Sequence, residues 1–193
     1  MRLRILVLPA AAMVISAMVW HKLSQDHKQN SPVSTRTVTT NRMQAPPIEA
    51  LDQDNSITRL KSFQGRHNLL VVFFDGEIGA AADETLQHLK QHADDLKARD
   101  YHIIAVSSAL PQQNRSAEFP PLFHLLTDPA PMCKIHREWG SASFDEESGS
   151  PKQAVFHIDR AGNVEGTSEP VPLTNPDQQI DELLGQSHSD LTD

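Results

Sequence analysis

Two apolar runs, Leu69–Phe74 (LLVVFF) and Tyr101–Val106 (YHIIAV), constrain this chain more than any other feature of it. A strand wetted on one side alternates apolar and polar residues, whereas a strand covered on both faces reads as a β-branched and aromatic run. Both runs are of the second kind. Between them, Asp83 to Arg99 has the helical period: Leu86, Leu89, Ala93 and Leu96 form one apolar stripe, with His88, His92 and Asp95 opposite. Buried strand, helix and buried strand in that order predict a central sheet with helices packed on its faces.

The flanking segments extend the pattern. Ile57 and Leu60 lie in a stretch suited to a small entry hairpin, and Leu122–Leu126 reads as a third core strand. Pro131 to Trp139 suits a short helix with proline at its start. Ala154–Ile158 and Asn163–Gly166 flank Asp159-Arg160-Ala161-Gly162, which has turn chemistry and predicts a hairpin. Pro176–Leu184 is amphipathic, and Gly185 suits its stop. The fold class expected is an α/β sandwich with a mixed central sheet and flanking helices, preceded by an N-terminal apolar helix.

That N-terminal helix is read from Ile5–Trp20, an uncharged run preceded by Arg2 and Arg4. Its 16 residues span about 24 Å as a helix, slightly less than a hydrocarbon core. No pair of small residues suited to cleavage follows its midpoint, so residues 1–20 read as an uncleaved signal-anchor, with a cleaved signal peptide as the alternative. The arginines would stay cytoplasmic. Everything after Trp20 would then stand on the periplasmic side of a bacterial inner membrane, or be secreted if cleaved. Residues 21–47 are rich in Ser, Thr, Asn, Gln and Pro and read as a flexible linker. The domain is expected over 48–186 and a disordered tail over 187–193.

Charge and cysteine content exclude whole classes of function. Residues 1–47 hold six Lys/Arg against one Asp, and residues 48–193 hold 11 Lys/Arg against 24 Asp/Glu, a net of −13. Such a body repels phosphate backbones, so nucleic acid is not an expected partner. A single cysteine, Cys133, rules out an internal disulfide, a Cys-rich zinc site and a CxxC dithiol. Neither a Gly-rich phosphate loop nor a GxSxG elbow occurs, and no cofactor is implied.

Four strings in order, APPIEALDQDNSITRLKSFQGRHNLLVVFF, YHIIAVSS, PLFHLLTDP and AVFHIDRAGNVEG, cover roughly residues 45–166. Together they resemble the redoxin family, the thioredoxin-fold branch of peroxiredoxins and alkyl hydroperoxide reductases. The resemblance implies a thioredoxin-like sandwich and a thiol peroxidase or oxidoreductase site after the first core strand. There a P-x-x-x-T-x-x-C loop opens a helix whose N-terminus, with a nearby arginine, activates the cysteine. This chain reads FFDGEIGAAADE. Laying its aromatic pair on the family's puts Ala82 at the cysteine, Gly79 at the threonine, Asp75 near the proline and Gln153 at the arginine. No cysteine occurs before Cys133, so the resemblance implies a fold whose peroxidatic site is degenerate.

Two other groupings are chemically suggestive. Cys133, with His136 and Arg137 three and four residues on, would sit in the first turn of a helix begun at Pro131. It is either an activated thiol or a small packed hydrophobe, the latter being how the resemblance uses the position. His88, His92 and Asp95 share a helix face at a spacing that can hold a divalent cation, or form a solvated face. His136 and His157 otherwise read as isolated, with His157 turned outward. The function expected is a membrane-tethered, non-catalytic binding or structural module with a protein partner in the envelope. The alternative is an atypical antioxidant oxidoreductase with Cys133 as its sole thiol.

Overall fold

In the computed structural model the residues described are 41–140 and 153–185. Burial on both faces sets the middle of the sheet. β4 (Asn68–Phe73) sends Leu70 and Val72 into one apolar cluster and Leu69, Val71 and Phe73 into another, on opposite sides. β5 (Tyr101–Ser107) lies parallel to β4, pairing Leu70 with Ile103. β6 (Phe123–Thr127) lies parallel to β5 in turn. β7 (Ala154–Ile158) covers the other edge of β4 antiparallel, with Val71 opposite Phe156. With β8 (Asn163–Glu165), β1 (Arg42–Gln44), β2 (Glu49–Leu51) and β3 (Ile57–Arg59), one mixed sheet forms in the order β1-β8-β7-β4-β5-β6-β2-β3.

Helices cover both faces. α1 (Glu84–Gln91), α2 (Ala93–Ala98) and α5 (Pro176–Gly185) bury Leu86, Leu89, Leu96, Ile180 and Leu184 against one face. α3 (Pro111–Arg115) follows β5. On the other face α4 (Lys134–Glu138) brings Ile135, with Trp139 just beyond its end, against Phe73 and Phe156, while Leu60 packs there from a 3-10 turn. The sandwich expected from the two apolar runs is present.

Three boundaries differ from the sequence expectation, and one agrees with it. The sheet begins inside the segment read as a linker, because β1 pairs antiparallel with β8 and Gln44 Nε2 donates to Gly162 O at 2.7 Å. Backbone pairing at a sheet edge needs little apolar content, so hydropathy passes over Arg42–Gln44 and the domain starts before 48. The helix expected over 83–99 is two, parted at His92, whose N–H reaches back three residues to Leu89 O at 3.2 Å. The helix expected from Pro131 starts at Lys134, since Cys133 has left-handed backbone angles (φ 37°, ψ 55°). At the C-terminus α5 ends with Gly185. The signal-anchor over 1–20, the linker from 21 to 40 and the tail over 187–193 lie outside the described residues. Among the described residues no helix is long and apolar enough to cross a membrane.

Candidate functional site

β4 ends at Phe73, and the chain turns through residues 74–83 to enter α1. Asp75 shapes the turn: its Oδ1 accepts from Glu77 N at 2.8 Å and its carbonyl accepts from Gly79 N at 3.0 Å. Gly76 runs so close to the segment after β5 that a Cβ would lie 2.6 Å from Ala109 N. Gly79, at the family's threonine position, has φ +82°, where a β-branched residue would be strained. Ala82 is exposed, and its N–H donates to Gly79 O at 3.1 Å. Ile78 and Leu110, both more than half exposed, stand on these two loops.

Asp83 is the pivot of the site. An aspartate just before a helix accepts from backbone N–H groups that have no partner within the helix. Its Oδ1 accepts from Leu86 N at 2.9 Å. Gln153, from the approach to β7, brings Nε2 within 3.3 and 3.1 Å of the two carboxylate oxygens and donates to Thr85 Oγ1 at 3.0 Å. Burial pushes the Asp83 carboxyl up, opposed by the backbone N–H groups of Leu86 and Thr85 and reinforced by Glu84 and Asp177. The partner in the arginine position is neutral and supplies no countercharge. A helix start is where an anionic thiolate would gain most from the backbone dipoles. Here a carboxylate of the chain itself holds that place.

The fold therefore gathers Gly79, Ala82 and Gln153 at the start of α1, with Asp83 and Thr85 as members that the family pattern did not supply. The N-capping preference of aspartate before a helical period was the signal for Asp83.

Cys133 lies elsewhere, on the α4 side of the sheet. It is buried and precedes α4 without capping it through its side chain. Burial pushes its thiol up, the Asp128 carboxylate adds to this, and Arg137 opposes. His136 and Arg137 do not form the activating pair read from the sequence. His136 is fully buried, with Nδ1 2.6 Å from Asp128 Oδ2 and its backbone N–H donating to the same oxygen at 2.9 Å. Its ring packs against Phe73, centroids 5.0 Å apart. Arg137 Nη2 turns to Pro131 O at 3.4 Å. Nor is His157 isolated: it is half-buried, its Nε2 3.1 Å from Tyr101 Oη.

The histidine face of α1 also gains a different third member. His88 Nε2 lies 3.2 Å and His92 Nε2 4.0 Å from Asp181 Oδ1, on α5. Asp95 approaches the other side of His92, its Oδ2 3.8 Å from Nδ1.

Residues 42–167 match the AhpC/TSA family. Alkyl hydroperoxide reductase E of Mycobacterium tuberculosis is 25% identical over 138 residues, 70% of this chain and 89% of that protein. Peroxidoxin BcpB of Mycobacterium tuberculosis superposes with a TM-score of 0.59 at 16% identity, covering 78% of this chain and 97% of that one. Thioredoxin peroxidase I of Plasmodium yoelii gives 0.56 at 21% identity, covering 79% and 94%. The sandwich is thus of the thioredoxin-like, peroxiredoxin type.

Proposed function

The chain belongs to the AhpC/TSA family, and from that membership we propose a redoxin domain without thiol-peroxidase chemistry, working as a binding or structural module. Residues 5–20 would tether it to the outer face of a bacterial inner membrane, where its partner is an envelope protein. The observation that carries this reading is Asp83, whose buried carboxylate takes the helix-start N–H groups beside Ala82. Thiol peroxidases attack the O–O bond with a thiolate, which becomes a sulfenic acid as the peroxide leaves as water or alcohol. Neither Ala82 nor Asp83 supplies that nucleophile.

The alternative built on Cys133 finds little support in its surroundings, since burial and Asp128 both disfavour the thiolate. Peroxide turnover by the full chain decides between the two. With hydrogen peroxide or an alkyl hydroperoxide and a dithiol reductant, the expected rate equals background. Turnover lost in Cys133→Ser would reverse the choice. Ala82→Cys alone is expected to stay inactive, because the new thiol would face Asp83 and Glu84 without an arginine. The tether is checked by intact mass and sedimentation: the protein should keep its N-terminus and pellet with membranes. A soluble exported form beginning between residues 18 and 35 would refute the anchor.

A further inference from the structure

We propose that His88, His92 and Asp181 bind a divalent transition-metal ion of the zinc class, with Asp95 positioning His92 from behind. The proposal is independent of the binding-module reading. His88 and His92 stand one turn apart on α1, their ring centroids 4.9 Å apart. α5 then carries Asp181 across, so that the Nε2 atoms of both rings approach the same oxygen, Oδ1, at 3.2 and 4.0 Å. The ligand atoms of the three residues all lie within 4.8 Å of one another.

A tetrahedral zinc ion with bonds of about 2.0–2.1 Å spaces its ligand atoms by about 3.3 Å. The His88–Asp181 separation already has that value, and the longer ones close by rotation of side chains that are partly exposed. Two Nε2 atoms thus converge on one carboxylate oxygen, the arrangement that a shared ion requires. Metal-binding histidines commonly turn their second ring nitrogen to a carboxylate, which sets the tautomer and orients the ring. Asp95 Oδ2, 3.8 Å from His92 Nδ1, stands in that position. Two imidazoles and a carboxylate suit zinc and leave a fourth position for water. The net −13 of residues 48–193 raises the local concentration of cations around the site.

Calorimetric titration of the full-length, metal-free chain with zinc tests this, with cobalt(II) absorption as a second reporter of tetrahedral ligands. One ion per chain at micromolar or tighter affinity is expected, with a rise in Tm. His88→Gln and Asp181→Asn should each weaken binding at least about tenfold and remove the Tm rise. Asp95→Ala should weaken it about tenfold, the usual effect of losing an outer carboxylate, while keeping the cobalt spectrum tetrahedral. His102 lies away from these residues, its ring 5.3 Å from Phe63 and its Nδ1 3.1 Å from His124 Nε2, and His102→Gln should change nothing. Absence of submillimolar binding, wild-type affinity in Asp181→Asn, or loss of the ion in His102→Gln would each overturn the assignment.

Discussion

Asp83 and Asp128 are both nearly removed from water, at 8% and 3% exposure, yet the protein treats them in opposite ways. Asp83 caps a helix on one face of the sheet, and its partners are backbone N–H groups and the neutral amide of Gln153. Burial prevails there, and the carboxyl is pushed up. Asp128 holds a helix on the other face, and burial pushes it up as well. The His136 side chain, the backbone N–H groups of His136 and Ile135, and the charge interaction with His136 outweigh that push, so it ends below its ordinary value. What decides the state of a buried carboxylate is whether its partner can donate strongly and carry charge. That is also the difference between Gln153 and the arginine of the family's pattern.

The largest test of this contrast is Asp128→Ala. Breaking a buried carboxylate–histidine contact should cost about 3–5 kcal/mol in urea denaturation at neutral pH. A loss under about 1 kcal/mol would mean that the pair behaves like a surface contact, and the comparison would fail.

Acidification should separate the two sites by sign. Asp128 has a lowered folded-state pKa, so its contribution is present above the unfolded value of about 3.9 and is lost as pH falls through the folded pKa. The stability gap between wild type and Asp128→Asn should therefore narrow below about pH 4. Asp83 has a raised pKa, so its contribution is full below the unfolded value and is lost as pH rises through the folded one. Asp83→Asn keeps a cap acceptor without the charge and should gain on wild type as pH rises from 3 to 7. Gln153→Arg should make Asp83 behave like Asp128, reversing the direction of its pH dependence. Parallel curves for all these variants would show that charge plays no part in the difference.

Smaller effects follow from single contacts. Asp83→Ala removes the cap and should cost about 1–2 kcal/mol, well above the cost of Asp83→Asn. Cys133→Ala trims a buried atom and should cost about 1 kcal/mol or less. The Cys133 thiol should alkylate only as fast as the domain opens. Rapid labelling of the native chain would place Cys133 among the reactive groups instead of the packed ones.

The core strands, the stripe of α1 and α2 and the 154–165 hairpin were legible before any coordinates. Burial of Leu69–Phe74 on both faces leaves a record in composition, and a helix buried on one side leaves a period. The missing nucleophile was equally legible, because it depends only on which residues follow Phe74. β1 was not, since Arg42–Gln44 is held by edge hydrogen bonds to β8 and contributes only Met43 to the core, too little for a pattern. The left-handed turn at Cys133, which lacks the glycine that usually marks such a turn, has no sequence signal, and neither does the start of α4 at Lys134. Side-chain partners were out of reach altogether. Periodicity reports which face of an element is dry, whereas a partner depends on which other element the fold lays across that face. Asp181 meets His88 from 93 residues away because α5 packs on α1, and Gln153 meets Asp83 from 70 away because β7 borders β4.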